Sequence, residues 1–588
     1  MKKVSEFYQN HKNIIVNCIF PVILLLYPLM KVNQGVDVSD STYSLGNYLF
    51  FPELKGTWMI STYLSNVLGF LLMKLPFGRM LMGMNFYTAL FVSVLVLLVY
   101  YMLRKWMPDW IVFIGEFIAV GFLWIPTGIL YNYLTYFLFT VAALLLYKGL
   151  TEEKNIYLFW AGVTLGCNVF VRVPNLAEMA LILMVWYAVF SGNRGNGRKG
   201  KLFFKLTGIC IGGYLTGLAV PVFMILLQYG LKEFTAMFAG LTALQGSDES
   251  YSILSMIGMT VLAYLSSGKW LVVLLVGLAL GICMFAVLKD LYTLLKKILY
   301  VAGLLLILRF YWGRGMFSFR YYEDYTSMYE WGMLGLFLSW FACGYLIFGK
   351  GVSESERLLG VMSGLILLIT PLGSNNYTYQ NLNNLFLVAP VSCYAFAKLY
   401  RRRNREAFTG AGFVWKTAVA GIFLMILIQT VGFHSRFVFR DGMDGSRRDA
   451  RMSENNVVAG MYTTEENAES LGGLITFVDS LPGMDREERR GRAIYLGDCP
   501  GLTYILQTPS ALSMSWPDLD SEPFEKVKND LEELDTLPFV IVKEKELVSE
   551  TEIKKQELMH QFMDMNNYQQ LYQNEAYKVY AVKEAQND

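Results

Sequence analysis

Apolar runs of roughly 17 to 25 residues recur along this chain, each long enough to cross a bilayer as a helix. They fall near residues 14–30, 84–103, 110–126, 130–147, 156–171, 175–191, 206–228, 270–288, 296–311, 331–348, 357–372, 383–400 and 416–434. So many runs leave few folds open, because inside lipid each backbone N–H and C=O must be satisfied within its own segment. The pattern predicts a polytopic α-helical membrane protein of about 13 spans. Composition agrees: 54% of the 588 residues are hydrophobic and 17% are charged, against roughly a quarter charged in a soluble protein. The basic N-terminus leads into the first run with no small-residue cleavage site after it, so that run is expected to be a retained span.

The charges between the runs give an orientation. With the N-terminus cytoplasmic, the inner loops carry Arg104-Lys105, Lys148 with Lys154, Arg194 to Lys201, Lys289 with Lys296-Lys297, Lys350 with Arg357, and Arg401 to Arg405. That obeys the positive-inside rule at each inner loop. An odd number of spans then puts everything after His434 outside, in a multi-pass protein of the cell membrane. Two apolar stretches, Trp58 to Leu75 and Ser252 to Leu265, would break the charge pattern if they crossed. They are expected to lie in, or re-enter, the outer interface. The expected domains are therefore a membrane domain over 1–434 with a long outer loop at 31–84, a polar stem over 435–470, and a small extracytoplasmic α/β domain over 471–588.

In the tail, residues 492–497 and 537–542 read as buried strands, and 568–582 as one or two closing strands turning near Asn574. Ser470 to Ser480, Pro500 to Leu506 and Glu550 to Met565 read as helices. Strand alternating with helix argues for an α/β domain. Gly497-Asp498-Cys499-Pro500-Gly501 has the look of a phosphate loop, but the G-x-G-x-x-G spacing and the P-loop Lys are absent. Six of the seven cysteines lie in apolar runs and three histidines are dispersed. Neither a disulfide framework nor an imidazole metal site is implied.

Under this topology the polar residues with chemical potential gather on the outer face. The first outer loop offers Asp37 and Asp40. A mid-chain loop offers Arg172-Val173-Pro174-Asn175, with Glu178 one turn on. Later loops offer Arg314 and Arg320, then Asn375, Asn376 and Asn381. A carboxylate beside the membrane can act as general base on an acceptor hydroxyl. A lipid-phosphate leaving group needs cations, and the planar guanidinium binds two phosphate oxygens at once. Asp40 with Arg172, Arg314 and Arg320 supplies both functions, and the asparagines can hydrogen-bond sugar hydroxyls. Each residue also has a plain structural reading. Asp37 and Asp40 suit a turn or helix N-cap, Arg172 a headgroup contact, and the asparagines turns.

The chain resembles the GT-C superfamily of polytopic glycosyltransferases in four respects. A long outer loop follows the first span. An acidic residue opens it in the pattern Asp40-Ser41-Thr42-Tyr43. Arg172-Val173-Pro174 closes a mid-chain outer loop, and a soluble outer α/β tail follows the last span. The resemblance implies hexosyl transfer from a polyprenyl-phosphate-linked sugar to a glycan, lipid or protein acceptor at the outer face. Asp40 or Asp37 would be the catalytic carboxylate, and Arg172 a donor-phosphate contact. Some members hold a divalent cation between outer loops. This chain has no D-x-D-type cluster, so no cofactor is expected to be required, although Asp37, Asp248 or Glu249 leave room for such an ion. The lipid bilayer is an expected partner and nucleic acid is not. The rival expectations are a flippase or transporter of lipid-linked glycans, and a non-catalytic envelope assembly protein on the same scaffold.

Overall fold

The computed structural model describes residues 2–53, 57–125, 130–191, 199–245, 252–287, 292–317, 326–373, 376–403, 411–481, 493–519, 522–545 and 549–582. Among them nine helices are long and apolar enough to cross a membrane: Lys12–Leu29, Leu81–Leu103, Leu130–Thr151, Val173–Ser191, Lys199–Leu241, Leu254–Val287, Thr326–Phe348, Glu354–Leu372 and Gly412–Arg436. Each matches an expected span. The other four expected spans coincide with the helices Asp109–Gly121, Asn155–Asn168, Thr293–Gly313 and Val388–Arg403. Three of these have only 13 to 16 residues, and the fourth carries Lys296, Lys297 and Arg309. The count of about 13 is therefore not reached by length and composition.

One expected interfacial segment is corrected. Residues 252–265 do not form a helix of their own, because Ile253–Val287 is a single helix of 35 residues. Ser266-Ser267-Gly268-Lys269 looked like a boundary in the sequence. A helix tolerates those residues when its neighbours are apolar, and an isolated Gly costs only about 1 kcal/mol. The other segment forms two short helices, Thr57–Ser61 and Tyr63–Met73. They pack through Met59, Ile60 and Tyr63 onto Ile225 and Met237 of the helix Lys199–Gln245, which is broken at Gly230 (φ 79°). Deeper in the bundle, Asn155–Asn168 meets Lys199–Gln245 along a seam of small residues. A Cβ on Gly162, Gly166, Gly213 or Gly217 would sit 2.1 to 2.2 Å from a carbonyl oxygen of the opposite helix. Such close backbone approach is how helices gain packing energy where lipid removes the hydrophobic drive.

The tail carries a four-stranded sheet in the order β3-β4-β6-β5, formed by Ala493–Leu496, Phe539–Lys543, Tyr577–Val582 and Tyr568–Gln573 respectively. β3 and β4 are parallel, with Ala493 opposite Phe539, and the other two pairings are antiparallel. The strands read from sequence are present, and Asn574 makes the β5–β6 turn by accepting from the N–H groups of Ala576 and Tyr577. A short antiparallel pair, β1 (Ala450–Arg451) with β2 (Tyr462–Thr463), precedes the sheet. It lies within residues 435–470, which the sequence presents as a polar stem. That stretch is packed: Met452, Val457, Val458 and Met461 share one core with Val36, Val38, Leu45 and Tyr48 of the first outer loop and with Leu474, Tyr495, Leu502 and Tyr504 of the tail. The first loop, the stem and the tail thus close over one another.

Candidate functional site

The first outer loop is stitched to distant chain before it reaches Asp40. The Gly35 N–H donates to Tyr462 O and the Tyr462 N–H to Asn33 O. The Val36 N–H and the Thr463 hydroxyl donate to Asp441 Oδ2 at 2.9 and 2.7 Å. The Gly501 N–H donates to Val38 O at 2.8 Å. Asp37, which is buried, accepts from the Ser39 N–H, the Ser39 hydroxyl and the Ser41 N–H. This is the turn-capping role open to any Asp before a helix, and it leaves Asp37 engaged locally. The helix Asp40–Phe50 then begins with Asp40 in its first turn.

Asp40 Oδ2 pairs with Arg440 Nη2 at 3.1 Å. Arg440 Nη1 donates to Asp498 Oδ2 at 3.0 Å and to Ser39 Oγ at 2.7 Å. The three charged side chains keep 31%, 38% and 35% of their surface exposed, in the order Asp40, Arg440, Asp498, so a solute can reach them. Burial pushes the Asp40 carboxyl up to about 6. Arg440 pulls it down, while Asp37 and Asp498 add to the rise. Burial also raises Asp498, against the pull of Arg440 and Lys545. Burial works against the charge on Arg440, but Asp40, Asp498 and Asp37 outweigh it and hold the guanidinium protonated. Asp40 is thus a carboxylate whose proton exchange falls near neutrality, which is what general-base work needs.

Aromatic residues surround this pair and Arg172. The Arg440 guanidinium lies over the Phe439 ring at 5.5 Å. Phe439 stacks on Trp124, and Trp124 meets Tyr379. The next residue, Gln380, accepts a hydrogen bond from the Tyr136 hydroxyl. Tyr136 is within electrostatic reach of Arg172, and Arg172 lies over the Tyr131 ring at 5.9 Å. Tyr131 in turn interacts with Tyr43 and Tyr48 on the Asp40 helix. Arg172 and Asp40 are thus each flanked by aromatic residues, and no described contact joins the two directly.

Arg172 owes its place to a local network. It precedes the 3₁₀ turn Val173–Ile182, with Pro174 near its start. The Asn175 amide donates to Thr135 Oγ1 and Asn168 O, both at 2.9 Å, and the Asn168 amide donates to Glu178 Oε2 at 2.6 Å. Glu178 is thereby hydrogen-bonded within the loop. The remaining expected residues are placed differently. Arg314 caps the C-terminal end of its helix, exposed, with its guanidinium over Phe310 of the same helix. No described contact joins it to Asp40. Asn376 is exposed, and Asn381 is buried, with its amide donating to Leu367 O. Arg320, Asn375, Asp248 and Glu249 lie outside the described residues.

Two residues at the centre, Arg440 and Asp498, were not anticipated. Their one sequence signal is a nearby glycine, Gly442 two residues after Arg440 and Gly497 just before Asp498, each marking a sharp turn. Both side chains are carried on left-handed backbone, at φ 54° and φ 63°, a conformation uncommon away from Gly. The Gly497–Gly501 motif is no phosphate cradle, because the N–H groups of Gly497 and Asp498 are taken by Asp518 Oδ2 at 3.0 and 3.2 Å.

Fold and site together define a multi-pass helical membrane protein whose C-terminal tail packs on, and contributes to, a polar site at the first loop. No family model matches the chain, and no curated protein matches it. Two similar solved structures are an oligosaccharyltransferase from Archaeoglobus fulgidus, in a complex with zinc and sulfate, and ArnT from Cupriavidus metallidurans bound to undecaprenyl phosphate. The first is 15% identical, covers 89% of this chain and 68% of its own, and gives a TM-score of 0.44. The second is 10% identical, covers 97% and 98%, and gives 0.46. At such scores the functional reading rests on the residues.

Proposed function

We propose that this protein is a membrane glycosyltransferase that moves a sugar from a polyprenyl-phosphate donor to an acceptor hydroxyl at the extracytoplasmic face. The observation that carries this reading is Asp40: accessible, close to neutrality in its proton exchange, and paired to the Arg440 guanidinium. Asp40 takes the proton of the acceptor hydroxyl as that oxygen attacks the anomeric carbon. The bond from that carbon to the phosphate oxygen breaks with its electron pair, and polyprenyl phosphate leaves. Arg172 stabilises the departing phosphate, as a charge developing in the transition state requires, and in-line attack inverts the anomeric centre. Asp37 is assigned to the turn and Asp40 to the base.

Asp248 and Glu249, which with Asp37 leave room for a divalent ion in the sequence, lie outside the described residues. Asp40 and Asp498 already share a guanidinium, and among the described residues no three His, Cys, Asp or Glu side chains converge. No step is assigned to a metal.

The deciding experiment measures transfer from a polyprenyl-phosphate sugar in Asp40→Asn. Loss of a positioned general base costs about 10²- to 10⁴-fold. In the unaltered protein the rate should fall below about pH 6, where Asp40 gains a proton. Near-normal turnover in the variant, or a rate flat across that range, removes Asp40 from the mechanism.

A further inference from the structure

We infer that Asp498, delivered by the C-terminal domain, is a positioning residue that fixes the Arg440 guanidinium on Asp40. The inference rests on the transferase reading only for its kinetic readout; the geometry is independent of it. Three observations point the same way.

First, Arg440 bridges two carboxylates with different nitrogens, Nη2 to Asp40 and Nη1 to Asp498. A guanidinium is a rigid planar fork, so fixing one nitrogen fixes where the other points. Arg440 is more than a third exposed, and a single exposed ion pair holds a long side chain weakly. Nη1 also donates to Ser39 Oγ at 2.7 Å, and the charged anchor at Asp498 adds to it in setting the plane of the guanidinium.

Second, the segment that presents Asp498 is built to do so. Asp498 follows Gly497, whose φ is 85° and where a Cβ would sit 1.8 Å from Lys543 O. Both N–H groups of the turn are held by Asp518. Asp518 is itself paired with Lys545 at 3.2 Å, and Lys545 with Glu552 at 2.8 Å. The left-handed backbone at Arg440 (φ 54°) and Asp498 (φ 63°) is strained for any residue with a Cβ. Such strain persists only where surrounding structure over-determines it, and it gathers at functional sites.

Third, the domain is seated directly on the Asp40 helix. A Cβ on Gly501 would meet Thr42 Oγ1 at 1.7 Å, and one on Gly46 would meet Thr503 Oγ1 at 2.2 Å. Closer approach than this is not available to any other residue type, so Asp498 is delivered in register with Asp40.

Among the described residues, the charged groups that act on the pair are the following. Asp40 feels Arg440, Asp37 and Asp498, and Asp498 feels Arg440, Lys545, Asp518 and Lys543. Removing the Asp498 charge alone would make Asp40 easier to ionise. Releasing Arg440 would make Asp40 harder to ionise, so the two roles predict opposite signs.

The test is Asp498→Asn and Asp498→Glu in the full-length, membrane-reconstituted protein, read in two ways. One is the pH profile of kcat/KM for transfer from a polyprenyl-phosphate sugar. The other is the pH titration of the protonated-carboxyl infrared band that Asp40→Asn abolishes, which needs no substrate. Asp498→Asn is expected to lower kcat/KM about tenfold or more and to move both the acid limb and the band titration to higher pH. Asp498→Glu should restore both in large part. A shift to lower pH in Asp498→Asn, or no shift at all, overturns the inference. A band that shifts upward in a protein with no transfer activity upholds the positioning role and removes the transferase reading instead.

Discussion

The loop around Arg172 is held by its own neighbours in the chain: Asn168, Asn175 and Glu178, with Thr135 the most distant. The loop around Asp40 is held from the far end of the molecule, by Arg440, Asp441 and Gly501. Each loop presents a charge, and only the first is held without the tail. A charge placed by local hydrogen bonds is available as soon as its helices pack. A charge placed by residues some 400 positions away depends on the docking of another domain. The site is thus half preformed and half assembled.

That contrast can be broken at either loop. Asp40→Asn gives the largest loss, about 10²- to 10⁴-fold in transfer rate, with docking of the tail unchanged by limited proteolysis. Gly501→Val comes next. Its side chain has no room against Thr42 Oγ1 and Val38 O, so the tail should lift from the Asp40 helix. Expected are faster proteolysis at the stem and at least a tenfold fall in rate, while the bundle keeps its helical circular dichroism. An intact tail with full activity would show that the assembled half is not needed.

Asn175→Ala probes the preformed half. It leaves Thr135 Oγ1 and Asn168 O without their amide donor, at a cost of about 1–3 kcal/mol for buried polar groups. Arg172 should lose its place, raising KM for the donor several-fold with kcat less affected. The stem should resist protease as before. Asp37→Asn gives the smallest kinetic effect. An amide cannot accept from all three donors that Asp37 satisfies, so the melting temperature should drop. Turnover per folded molecule should stay within about twofold. A loss as deep as that of Asp40→Asn would reverse the roles assigned to the two aspartates.

Much of the architecture was legible because its cause is local. Nine spans show as apolar runs, since a helix in lipid must satisfy its backbone alone. The strands at 493–496 and 539–543 show as short apolar runs between turn residues. The continuity of Ile253–Val287 was hidden, because residues 266–269 break a pattern without breaking a helix. The packing of residues 435–470 was hidden for another reason. Its apolar residues are few, and their burial depends on a partner surface, residues 36–48, that is remote in sequence. Asp40 and Arg172 were legible as chemistry. Arg440 and Asp498 look like an arginine after a span and an aspartate in a turn.

What the sequence determined by itself is the membrane-spanning bundle and an α/β tail. Hydropathy and charge act over one helix or one loop, and a single chain segment displays them. Only the tertiary structure decided that Asp37 caps a turn while Asp40 meets a guanidinium, and that the tail supplies a carboxylate to the same place. Ion pairs act over 3–4 Å between residues whose separation along the chain carries no trace of the pairing, so their partners exist only once the domains have closed.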